Sequence, residues 1–338
     1  MKTEKRGILN RIISIRGMPQ VITVTIGLVI IVTVFSMLSE NFLSERNLRN
    51  LLRQIAPILI VGIAQSFVLI TGNIDLSIGS VLGMSCMISA TLMTRGVSPL
   101  GAVVITLVCC LAIGVLNGQL VARCGLPPFI ATLGTMTIAR GIAQIVNGNR
   151  NTDSIGEGAR AFRNLFYYGE QQFFGFRIFN TVLIALLLWI IFNFILSYTR
   201  TGRHIYAVGS NIEAARMSGV NVSLTVTTAY VVSSFCACVV GFITCATGGI
   251  GTMDAGNMYE LYAVASSVIG GVSTLGGQGL LLGTIVGASI WSVLQNGLVL
   301  ANAAVAIRNI AVGIIVVVSV LLDVIIRSGK WRKKKQSA

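Results

Sequence analysis

The sequence predicts an all-α, polytopic membrane protein of about ten spans, two of them broken or short, with a short helix in a cytoplasmic connection. Three observations lead there. The 338 residues are 54% hydrophobic and only 11% charged, against roughly 25% charged in a soluble domain. Apolar runs recur at the length a bilayer demands, about 20 residues. Basic residues gather just outside the first and last runs: Lys2, Lys5, Arg6, Arg11 and Arg16 before, Arg327, Lys330, Arg332, Lys333, Lys334 and Lys335 after. Such stacking fixes cytoplasmic ends against anionic head groups. The net charge of +14 is thereby a topological signal. It does not mark nucleic-acid binding, because no aromatic-interleaved basic surface accompanies it.

In order, the spans fall at 20–39, 54–72, 76–94, 98–121, 127–147, 179–198, 223–246, 259–272, 279–300 and 305–327. The first begins near Val21 with no small-residue cleavage site after it and reads as an uncleaved helix. An even count makes one membrane-spanning domain of residues 1–338, with the tails 1–19 and 328–338 and the segment 199–222 on the cytoplasmic side. Arg46, Arg49 and Arg53 fit this badly, falling outside after the first span; an interfacial turn or a later start of the second span would accommodate them. Phe166, Tyr167, Tyr168, Phe173, Phe174 and Phe176 collect in the outer loop, as an interfacial belt or a surface on which a solute stacks.

Two polar interruptions stand out. Gly72-Asn73-Ile74-Asp75-Leu76-Ser77-Ile78-Gly79-Ser80 separates two apolar runs. Polar, glycine-punctuated backbone at membrane depth needs protein or a water-filled cavity around it, and such breaks mark transport machinery. Asp75 either lines a pathway or gate with Asn73 and Ser77, or caps the third helix by accepting from freed amides; both roles are compatible. A second break, Gly270–Gly277, brings Ser273, Thr274 and Gln278. With Ser266, Ser267, Asn117 and Asn296, these are groups that join helices, as Ser and Thr commonly do, or exchange hydrogen bonds with a neutral polar solute. Asp323 has Arg327 at i,i+4.

Between the sixth and seventh spans, Asn211 is an N-cap, Ile212–Met217 are good helix formers and Gly219 is a stop. Glu213 and Arg216 can pair at i,i+3. Two turns are too short to stand alone in water, so the segment is either a solvated connector or a docking surface. The seven cysteines form no CxxC pattern and His204 is alone, so they read as apolar packers without a metal or cofactor. There is no phosphate-binding GxxxxGK[ST] and no catalytic set. The chain therefore reads as no enzyme, and its energy source lies elsewhere.

The chain resembles the membrane-spanning permeases of bacterial ATP-binding-cassette importers for monosaccharides, the ribose-type branch. The resemblance rests on Gly72–Ser80, Pro128–Thr135 with Arg140-Gly141, Thr201-Gly202-Arg203 through Gly209 with Asn211–Gly219, Ile269–Gly283, and Gln295–Leu298, in that order along nearly the whole chain. Asn73 departs from the glycine common in the family. The resemblance implies a coupling segment (Thr201, Gly202, Arg203, Asn211, Glu213, Ala214, Ala215, Arg216, Gly219) that inserts into a separate ATPase subunit. It also implies a second permease subunit around one translocation path, an extracytoplasmic sugar-binding protein, and a place in the inner membrane. The rival reading, an ion-driven secondary transporter of a small polar solute, needs an intramembrane acidic relay for which Asp75 is nearly the only candidate.

Overall fold

The computed structural model describes residues 18–173 and 176–327; the basic tails and Phe174 lie outside them. The elements are α1 Met18–Leu38, α2 Glu45–Ile70, α3 Ile78–Thr94, α4 Pro99–Ala122, α5 Pro128–Ile145, α6 Arg160–Arg163, β1 Glu170–Phe173, β2 Phe176–Phe179, α7 Asn180–Tyr198, α8 Arg200–Ser210, α9 Ile212–Met217, α10 Val222–Gly248, α11 Tyr259–Ile269, α12 Leu281–Leu300 and α13 Val305–Arg327. Each segment drawn from hydropathy overlaps one helix, but ten spans are not established by these helices. Among the described residues six helices (α1, α2, α4, α7, α10, α12) are long and apolar enough to cross a membrane. The 17-residue α3 and 11-residue α11 rise about 25 and 16 Å, short of a hydrocarbon core of about 30 Å. Each adjoins one of the two breaks.

Burial separates inner helices from a lipid-facing ring. The most apolar windows of α2 and α10 are each 78% buried, against 11% for α1 and 28% for α4 and α7. Helix α10 packs on α2, α3 and α4, and α2 packs on α7, α11 and α12. Close approach of backbones replaces the hydrophobic drive that lipid removes. At Gly118 of α4, for example, an added Cβ would strike the backbone of Thr227 in α10.

The arginines that fitted the orientation rule badly belong to α2 itself, which starts at Glu45 rather than at 54. Ser44 caps it, its hydroxyl accepting the Asn47 N–H. The first turns project beyond the apolar run and clamp a strand hairpin that hydropathy did not reveal, in which Gln171 pairs with Ile178. Arg49 Nη2 donates to Glu170 Oε1 at 2.6 Å. The Arg53 guanidinium lies 3.8 Å from the Tyr167 ring centre and 4.1 Å from that of Phe179. The three arginines thus sit on helical turns, and helix α2 starts earlier than the apolar run it carries.

Candidate functional site

At the first break, Gly72 turns the chain with φ +80° and residues 73–77 run on without helical hydrogen bonding. Protein groups satisfy this backbone, as its burial requires. The Tyr230 hydroxyl donates to the Ile74 carbonyl at 3.0 Å, and Asn73 Nδ2 donates to Thr71 Oγ1 at 2.8 Å. Asp75 is fully buried and acts as a hub. Its Oδ1 accepts the Ser77 N–H at 2.8 Å and the Ser77 hydroxyl at 2.6 Å; its Oδ2 accepts the Ser233 hydroxyl of α10 at 2.7 Å. Ser77 Oγ in turn accepts from Asn117 Nδ2 at 3.0 Å, and Asn117 Oδ1 accepts the Thr135 hydroxyl at 2.6 Å. One polar chain thus ties the break to α4, α5 and α10. Among the described residues no cation pairs with Asp75.

At the second break, Ser273 N–H donates to the Gln278 carbonyl at 2.9 Å and Ser273 Oγ accepts the Leu275 N–H. Thr274 gives both its N–H and its hydroxyl to Asp323 Oδ2, at 3.0 and 2.9 Å. Asp323 thereby fastens the break to α13, whereas the Arg327 side chain lies outside the described residues. Ser267 Oγ reaches from α11 to the Gly62 carbonyl of α2 at 2.9 Å. Asn296 is engaged at the opposite end of its helix, in a reciprocal amide pair with Asn47, both bonds 3.0 Å.

The two breaks touch. Gly277 N–H donates to the Ile70 carbonyl at 2.8 Å, and a Cβ at Gly276 would lie 2.9 Å from the Gly72 backbone. A third strand of chain enters this contact: Gly209, in the last turn of α8. A Cβ there would strike the Ile70 carbonyl oxygen and come within 2.7 Å of Gly277 N. Main-chain atoms of three separate segments therefore meet where no side chain fits.

The connector carrying Gly209 holds two helices where the sequence had suggested one. Thr199 caps α8, accepting the Gly202 N–H at 3.3 Å. A Cβ on Gly202 would strike the Leu196 carbonyl, so α7 and α8 join by a tight corner. Thr201 is half-buried in the first turn and Arg203 is exposed. The Tyr206 hydroxyl donates to the Gly279 carbonyl at 2.7 Å, and burial pushes its phenol up to about 12. The six-residue α9 forms as its caps predict: Asn211 Oδ1 accepts the Ala214 N–H at 2.9 Å, and Gly219 stops it at φ +79°. Glu213 and Arg216 pair at 3.0 Å. Only Ala215 of α9 is buried, while Ile212 and Met217 are 45% and 87% exposed.

Sequence reasoning missed two features. Arg140 Nη1 donates to the Met253 and Ala255 carbonyls at 3.0 and 2.8 Å, fixing the segment that leads into α11. A cavity of about 480 Å³ lies between α2, α10, α11 and α12 at the hairpin end. Its lining comes from four helices and the segments beside them, groups far apart in sequence, so no single local cluster signals it.

Residues 47–320 match a family of membrane permeases described as the branched-chain amino acid transport system / permease component. The chain belongs to that family and is a multi-pass membrane protein. It is 34% identical over 326 residues to the ribose import permease of Bacillus subtilis, covering 96% of this chain and 98% of the relative. It is 33% identical over 298 residues to the D-allose transport system permease of Escherichia coli, covering 88% and 89%. The galactose/methyl galactoside import permease of Haemophilus influenzae is 34% identical over 315 residues, covering 87% and 90%. No solved structure matches the chain.

Proposed function

We propose that this chain is the permease subunit of an ATP-binding-cassette importer that carries a monosaccharide, a ribose-like pentose, a hexose or a related polyol, into the cytoplasm. Sugar permeases of similar sequence over nearly their whole length support the solute class. The observation that carries the mechanism is the three-way main-chain junction of Ile70–Gly72, Gly209 and Gly276-Gly277. Helix α9, with Ile212 and Met217 uncovered, is the surface for a cytosolic ATPase subunit. A second permease subunit and an extracytoplasmic sugar-binding protein complete the assembly. Both basic tails face the cytoplasm of a bacterial cell membrane, and residues 1–338 work as one membrane domain.

A shift of α9 driven by ATP moves α8 as a lever, and Gly209 transmits it to both breaks at once. The segments around Asn73, Asp75 and Ser77 and around Ser273, Thr274 and Gln278 then tilt as a gate, with the Asn47–Asn296 pair holding α2 to α12 at the far end. A partner can drive this only by contacting the two states differently, by about 5.5 kcal/mol for a near-complete switch. With ATPase and binding protein in proteoliposomes, uptake is expected to require ATP and to survive collapse of ion gradients; gradient-dependent, ATP-independent uptake overturns the reading.

The coupling segment has its own test. Gly202→Val forces the α7–α8 corner open, and Gly219→Val puts a β-branched residue at positive φ, which the backbone tolerates poorly. Each is expected to lower uptake at least tenfold while the complex still inserts and hydrolyses ATP. Unchanged uptake in both variants removes the coupling role.

A further inference from the structure

We infer that the cavity at the hairpin end is a binding station for a neutral polyol on the transport route, an assignment that rests on the importer reading above. Its volume of about 480 Å³ falls in the range of small-molecule sites, roughly 300–1,000 Å³. One wall is a run of rings: Tyr259 and Tyr262 centre to centre at 5.3 Å, Tyr262 and Trp291 at 5.0 Å. Such faces suit the C–H surface of a sugar ring, and their polar tips suit its edge. Gln54 and Gln295 add amides, and Ser292 a hydroxyl. Ser292 is 2% exposed, and its oxygen has no hydrogen-bond partner among the described residues. A buried hydroxyl left unpaired is destabilising; this oxygen is covered as the helices stand, so a ligand hydroxyl pairs with it once the wall of the cavity shifts.

The lining also selects the class of ligand. It contains no carboxylate, and its single charged residue is Arg53, whose guanidinium is stacked between Tyr167 and Phe179. An amino-acid ammonium therefore has no counter-charge here, although the family description names amino acids. Uncharged amides and hydroxyls hold a polyol by bonds weak enough to release it, which passage requires. The position fits transport as well. Helix α2 carries Gln54 at the cavity and Ile70 at the glycine junction. Helix α11 begins with Tyr259 in the cavity wall and ends at the second break. Motion at the junction thus reaches the cavity through two rigid elements.

The test uses the full importer, with its ATPase and binding protein, in proteoliposomes supplied with labelled D-ribose, D-allose, D-galactose or leucine. Gln295→Leu and Tyr262→Leu are each expected to lower sugar uptake at least tenfold, with complex recovery and binding-protein-stimulated ATP hydrolysis within twofold of the unaltered protein. Ser292→Ala removes one oxygen and is expected to lower uptake about threefold; it decides the matter if the larger changes impair assembly. Sugar uptake within twofold of normal in all assembled variants overturns the station. Leucine carried better than any sugar overturns its polyol class. An unaltered complex that moves no sugar instead overturns the importer reading on which the station depends.

Discussion

Replacing Gly209 with alanine is expected to cut sugar uptake by at least an order of magnitude while the assembled complex continues to hydrolyse ATP. A methyl group there meets the Ile70 carbonyl oxygen and the Gly277 amide. Both are main-chain atoms held by their own hydrogen bond, so neither yields as a flexible side chain would. Overpacking of this kind typically costs about 1–3 kcal/mol and occasionally more. The strain falls on the contact that joins α8 to both breaks, so transmission suffers before folding does. Gly134→Ala is the matched control, because a Cβ there meets nothing within 4 Å and alanine favours the helix by about 1 kcal/mol. Transport by the Gly209 variant at the unaltered rate would show that the junction transmits nothing.

Asp75→Ala is expected to lower stability by about 3–5 kcal/mol, read as a drop in the thermal unfolding midpoint in detergent. It strands the Ser77 amide, the Ser77 hydroxyl and the Ser233 hydroxyl, and a buried group left without its partner costs about 1–3 kcal/mol. Asp75→Asn should lose far less. Its oxygen still accepts from Ser77 and its amide donates to Ser233 Oγ, which rotates to accept. Equal losses in the two variants would mean that charge, not the number of hydrogen bonds, holds the segment. No loss in either would remove Asp75 as a hub.

Much of this architecture was legible in the chain. Long apolar runs located the helices because lipid forbids unpaired backbone and forces one solution per run. The caps of α9 were plain at Asn211 and Gly219, where local chemistry decides. Hydropathy failed where neighbours in space decide. The first turns of α2 carry Arg46, Arg49 and Arg53, and the partners of Arg49 and Arg53, Glu170, Tyr167 and Phe179, lie more than 100 residues away in sequence. Helix α8, at 11 residues, is too short to register as a span, although Thr199 caps it and Gly202, Ile205 and Val208 line one face at helical spacing. The two interruptions hint at an internal repeat with a working site between them, yet nothing local shows that Gly72 and Gly276 meet main chain to main chain, more than 200 residues apart in sequence. The cavity was missed for the same reason.

The hub at Asp75 has a consequence for biogenesis. Its Ser233 partner lies 158 residues further along the chain, which a ribosome making about 5–20 residues per second delivers on the order of 10–30 s later. Throughout that interval the newborn carboxylate has no hydroxyl from α10 to receive it. Ser77 alone holds it until then, and the polar network at this turn is completed only when the later helix arrives.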